Sequence, residues 1–313
     1  FMDNINLKNN SVLYKQVIPS FVSVGLKFLS SFGLFFLIGK TVTEDVFSSY
    51  IVMLSIATFV SCGINFGFSL KLAIDFFNNG MCRALFESYI IRILILTIVL
   101  TGLFIVSKFI AVPLLFFWLL MSLFLGYMLD SISIKLRYKG QFWLEILFVF
   151  MSTAVPVFVS GYLLIQGGSV EYIFFVNVIV KLILFVPVFC ESVFRAKINL
   201  DNLFKNFQET IKFFADSVLV NMQPFLQVQL ASFFLVPLSL GFFAYGQKII
   251  QGFTTLFVAV NNVFFPKIVK AKGDKVRTKY LLKMFLLIVN IFPLFCMLML
   301  QFQGSSSLSL FIN

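Results

Sequence analysis

The chain has 313 residues, 60% of them hydrophobic and 12% charged, with a mean hydropathy of +1.01. A soluble domain is about 25% charged and about 45–50% apolar, so this composition excludes a water-facing globule. The net charge of +11 would suggest nucleic acid as the partner of a soluble chain, but its placement along this sequence argues against that.

A helix crosses about 30 Å of hydrocarbon with about 20 apolar residues. Taken in chain order, the apolar runs predict nine spans: 17–38, 46–70, 88–107, 112–134, 142–165, 171–190, 213–236, 240–265 and 284–301. The first run is too long for the apolar core of a signal peptide and has no small-x-small cleavage site after it. The loops alternate sharply in charge. Of the 24 Lys and Arg, 18 fall in one alternate set of loops, and the opposite set holds only Lys40 and Lys108. Basic residues concentrate on the cytoplasmic side, so the N-terminus is expected there, with the basic loops as solvated anchors. The outward turns are short: 39–45, 108–111, 166–170 and 237–239. The longest inward connection, 191–212, divides the chain. The expected organisation is a six-helix lobe over 1–195, a cytoplasmic linker over 196–212 and a three-helix partial lobe over 213–313. An internal echo supports this division: Phe47-Ser-Ser-Tyr50 opens span two, and Phe242-Phe-Ala-Tyr245 opens span eight. Parallel repeats related by an axis along the membrane normal are common in transporters.

No enzyme or metal signature is present. The chain has no His, and Cys62, Cys82, Cys190 and Cys296 form no C-x-x-C pair, so no catalytic residue, metal or cofactor is assigned. The candidates are polar groups within the spans, where charge is costly and usually faces a cavity or a partner. Lys27 sits too deep in span one to snorkel, so it lines a hydrated cleft or pairs with an acid. Lys181 is equally central, with structural pairing as likely as function. Lys248 lies about 12 Å inside its span. Arg92 is four residues into its expected span and is expected to snorkel to the head groups. Asp130, Glu145 and Asp216 lie near inward span ends, with Lys135, Arg137, Lys139 or Lys212 as expected partners. Span seven carries Asn221, Gln223, Gln227 and Gln229, with Gln223 and Gln227 on one face. Interhelical hydrogen bonding and recognition of sugar hydroxyls are both open for these amides, as for Asn65 and the Asn261-Asn262 pair. Pro156, Pro187, Pro224 and Pro293 are expected to kink their helices.

Three segments carry a family resemblance: Thr43-Glu-Asp-Val-Phe-Ser-Ser-Tyr50, Gly63-Ile-Asn-Phe-Gly-Phe-Ser69, and Leu240-Gly-Phe-Phe-Ala-Tyr-Gly-Gln-Lys248 followed by Phe265-Pro266. They resemble the Wzx-type oligosaccharide flippases of polysaccharide biosynthesis, within the larger group that includes MATE-type exporters. The resemblance implies an all-α integral membrane transporter with two MATE-like lobes in the bacterial inner membrane. Family members have twelve or more spans, so the nine counted here resemble a copy with an incomplete second lobe. The implied substrate is an undecaprenyl-diphosphate-linked oligosaccharide, an O-antigen or related lipopolysaccharide repeat unit. It would move from the cytoplasmic to the periplasmic leaflet by alternating access. The implied partners are this substrate, membrane lipids and other polysaccharide-assembly membrane proteins, with no nucleic acid. Under this reading Lys27 and Lys248 meet the diphosphate, since Lys acts as a point charge for phosphate. Gln223, Gln227 and Asn65 then line the sugar cavity. The alternative is a MATE-type small-molecule antiporter, against which span one offers Lys27 and no acid. A membrane polymerase or ligase is disfavoured by the short outward loops.

Overall fold

The computed structural model describes residues 2–78, 81–195 and 200–270, with a few more between 279 and 286. Among these residues the secondary structure is helical, with no strand. The helices are α1 (Met2–Thr41), α2 (Glu44–Asn65), α3 (Phe68–Asn78), α4 (Met81–Ser107), α5 (Leu114–Tyr138), α6 (Phe142–Ile165), α7 (Val170–Arg195), α8 (Leu200–Phe234) and α9 (Pro237–Lys270). Among the described residues, six stretches are long and apolar enough to cross a membrane: Ile18–Thr41 of α1, Glu44–Asn65, Met81–Ser107, Leu114–Tyr138, Phe142–Ile165 and Val170–Phe194. They coincide with the first six expected spans. Expected spans seven and eight fall in α8 and α9, of 35 and 34 residues. Expected span nine, with Pro293, lies outside the described residues, as do the side chains of Asn261 and Asn262.

The chain divides into two compact units. One is Gly25–Gly252, and the other holds the described residues of Phe1–Val24 and Phe253–Asn313. Within the larger unit, α5 is the central helix and packs against α7, α2, α3 and α6. Its inward side is built of Leu119, Leu120, Met128 and Leu129, all nearly inaccessible. By contrast, α4 presents Leu94, Ile98 and Phe104 outward, as a lipid-facing helix does.

Local chemistry explains the breaks. Expected span two, 46–70, stops at Asn65, because Phe66 and Gly67 take left-handed backbone with φ of 53° and 74°. A Cβ on Gly67 would lie 2.5 Å from the Phe213 backbone carbon, so glycine permits both the turn and the approach of α8. Glu44 and Asp45 occupy the first turn of α2, and Lys135 and Arg137 the last turn of α5, each favourable to the helix dipole. In α6 a π turn over Phe150–Ala154 directly precedes Pro156, which lacks the N–H an α ladder would need.

Around α3 the structure corrects an expectation. Lys71 was expected among solvated loop anchors, yet it is 3% exposed. Its ammonium donates to the Asn206 carbonyl and side-chain oxygen, both at 3.0 Å, and pairs with Glu209 at 3.4 Å and Asp75 at 3.7 Å. The Asn206 amide donates to Glu87, which also receives Arg83 at 2.8 Å. The stretch from Leu200 to 212, expected as a linker, is therefore the first part of α8 and is tied to α3 and α4. Burial pushes the Asp75 carboxyl up to about 6 against the pull of Lys71, with Glu209 and Glu87 adding to the rise.

Candidate functional site: a charged cluster on α5

The interior of the larger unit carries charged side chains on α1, α4, α5 and α7. Along α5, Ser122, Gly126 and Asp130 stand at i, i+4 and i+8, which puts them on one face. Lys27 of α1 meets Asp130 at 2.5 Å, and the two side chains retain 28% and 42% exposure. Lys27 was expected either to line a cleft or to pair with an acid, and it does pair while staying partly open. Asp130 was expected to pair with Lys135, Arg137 or Lys139 near a span end. The correction follows from helix length: α5 runs on to Tyr138, so Asp130 lies about 12 Å from its end and within reach of α1.

Arg92 also corrects an expectation, because it does not snorkel. Its helix begins at Met81, seven residues before the apolar run at 88, so Arg92 lies about 16 Å in. It is fully buried, donates to the Ser131 hydroxyl at 2.6 Å and the Tyr127 carbonyl at 3.3 Å, and stands 5.2 Å from the Phe68 ring centre. Its Nε and Nη2 have no hydrogen-bond partner among the described residues. Lys181 of α7 donates to the Ser122 carbonyl and hydroxyl at 2.9 Å each, and a Cβ on Gly126 would touch its ammonium. Ser122 in turn donates to Asn177 at 3.1 Å. Asp130 is ion-paired with Lys27, while Arg92 and Lys181 are held by neutral oxygens of Ser131, Tyr127 and Ser122 on the same helix. Lys27 is the partly open member. Such a group can attract an anion and exchange Asp130 for it.

The other candidates separate. Lys248 lies over the Phe35 ring at 5.6 Å and donates to Gln251 at 3.3 Å, and no described contact joins it to Lys27. Gln227 accepts from Gln247 at 2.9 Å on an exposed face, and Gln223 is exposed nearby. These residues gather an amide-rich patch on α8 and α9. Asn65 is 4% exposed and donates to Ser69 at 2.9 Å, so it does not open onto that face. Gln229 donates to Ser55 at 2.6 Å and Asn221 to the Ser217 carbonyl at 2.8 Å, an interhelical and an intrahelical bond. Glu145 pairs with Arg137 at 2.5 Å, as expected, and Asp216 is exposed. The partnership of Asp130 was missed, although the Ser-x-x-x-Gly-x-x-x-Asp stripe of span four was a legible sign of a polar face.

An all-α bundle with several membrane-crossing helices and a buried charged cluster defines a multi-pass membrane protein. Comparison with solved structures adds the fold. The chain superposes on a mutant of the Vibrio cholerae MATE transporter VcmN with a TM-score of 0.63. The match covers 94% of this chain and 73% of the other at 15% identity. The chain therefore has a MATE-like fold. No family profile matches the sequence, and no curated protein does.

Proposed function

We propose that this chain flips a lipid-linked oligosaccharide, an undecaprenyl-diphosphate carrier bearing a polysaccharide repeat unit, between the leaflets of the bacterial inner membrane. The carrying observation is the partly open Lys27–Asp130 pair on α5, a helix whose Ser131 and Ser122 also hold Arg92 and Lys181. A diphosphate offers Lys27 a second anionic partner at a depth where a bare charge is costly. The amide patch of Gln223, Gln227 and Gln247, with Lys248 beside it, suits sugar hydroxyls. The lobes of this reading are 1–195 and 213–313, moving in alternating access, with the N-terminus in the cytoplasm. The working partners are the lipid-linked substrate, membrane lipids and other polysaccharide-assembly proteins.

The test is the level of lipid-linked oligosaccharide in cells lacking the gene, measured with their surface polysaccharide. Accumulated precursor with lost surface glycan, both restored by the gene, is the expected result. Unchanged precursor and normal glycan would reject the reading. The MATE-like fold and the Asp130 carboxylate favour a second reading, a cation-coupled small-molecule antiporter. Drug-resistance profiles of the same strains separate the two.

A further inference from the structure

The two Phe-x-x-Tyr openings meet. Phe47 of α2 and Tyr245 of α9 have ring centres 5.5 Å apart, and Phe35 of α1 sits 5.3 Å from Tyr245 in an edge-on arrangement and 5.2 Å from Phe47. Tyr50 closes the group from below, 6.1 Å from Phe35 and 5.9 Å from Phe174 of α7. Phe35, Phe47 and Tyr50 are 2%, 5% and 3% exposed, so the rings exclude solvent at this point. Glycines set the approach. A Cβ on Gly39 would collide with the Tyr245 hydroxyl and stand 2.9 Å from Phe47, and one on Gly241 would touch Phe47 at 3.5 Å. The contact between residues 35–50 and 240–245 is thus made of rings and glycines. The opposite end of the bundle differs in kind, because there α8 is tied to α3 and α4 by the buried polar network of Lys71, Asn206 and Glu87. Ring faces part with the loss of one charge contact, the Lys248 ammonium over Phe35, which keeps its bond to Gln251, whereas parting that network strands buried charges.

We propose that α1, α2 and α9 form a separable aromatic gate at this end of the bundle, with the Tyr245 hydroxyl seated on Gly39 as its catch. The gate rests on the reading of this chain as an alternating-access transporter. In the structure it is closed. Opening moves α9 away from Phe35 and Phe47 and uncovers Ala244, which is 4% exposed when the rings meet.

The test uses protein in lipid nanodiscs, where both faces are accessible and no transport is needed. In a background with Cys62, Cys82, Cys190 and Cys296 replaced, Ala244→Cys reports on the gate. Ala57→Cys, at a position 0% exposed in the middle of α2, reports on unfolding. A charged maleimide should label Ala244→Cys slowly, and Gly39→Val should raise that rate about tenfold by displacing Tyr245. Ala57→Cys should stay unlabelled. Gly39→Ala should raise the rate as well, and adding Tyr245→Phe to it removes the nearest atom the new methyl would meet and should lower the rate again. Equal rates with and without the wedge would overturn the gate, and so would labelling of Ala57→Cys in parallel with Ala244→Cys. The flippase reading fails separately: a gate that opens in nanodiscs while cells show normal precursor levels keeps the gate and rejects the substrate.

Discussion

Lys27 and Asp130 make the most consequential pair of residues in the chain. At 2.5 Å and partly open, each stabilises the other's charge in an apolar surrounding. Lys27→Ala removes the partly open cation and its ion pair with Asp130, so precursor flipping in complemented cells should fall sharply. Lys27→Arg should retain part of it. Normal surface glycan in the Ala variant would remove Lys27 from the site. Arg92 plays a different part, since it is closed off and held by Ser131, Tyr127 and Phe68. Each hydrogen bond from a charged group is worth about 1.5–3 kcal/mol. Arg92→Ala should therefore lower the melting temperature of detergent-purified protein by several degrees. Arg92→Lys should recover only part of this, because an ammonium has no planar fork to span Ser131 and Tyr127. An unchanged melting temperature would show that the guanidinium adds nothing to stability.

Among the elements, the junction of α3, α4 and α8 holds the clearest pH dependence. Asp75 titrates at about 6 when folded and near 3.8 when unfolded, because burial disfavours its charge. The folded state then binds more protons between these values, so the linkage slope is negative. Stability should fall as pH rises from about 4 to about 6, and the cost persists above that. Its size is on the order of 3 kcal/mol, which corresponds to several degrees of melting temperature. Melting curves at pH 5 and pH 7 should show the protein more stable at pH 5, and Asp75→Asn should flatten that difference. Equal dependence in native and variant protein would assign the titration to another group. The helix assignments themselves were legible, since 20-residue apolar runs admit no other structure in lipid. The helix limits were not. The helices run beyond the counted apolar runs, α4 back to Met81 and α5 on to Tyr138, so Arg92 and Asp130 stand farther from their helix ends than expected.

For the molecule as a whole, the charge asymmetry of the loops sets the expected orientation. Alkaline phosphatase fused after 168 should be active and fused after 140 inactive, with green fluorescent protein giving the reverse pattern. The opposite result would invert the topology and place the aromatic cluster on the cytoplasmic side. The MATE-like fold supplies the architecture, but a shared fold leaves substrate open, because function resides in the site. The choice between oligosaccharide and drug therefore rests on the partly open Lys27–Asp130 pair and on the cellular measurements.

The sequence by itself determined the membrane class and the first six spans. Those follow from apolar length and loop charge, which act locally and independently of neighbours. The pairing of residues far apart in the chain was decided only by tertiary structure. Lys27 and Asp130 are 103 positions apart, and Lys71 and Asn206 are 135 apart. The hydropathy of a span states that its charges need partners, but not which helix supplies them. That choice falls to packing, through details such as Gly67 admitting the backbone of α8 and Gly39 admitting the ring of Tyr245.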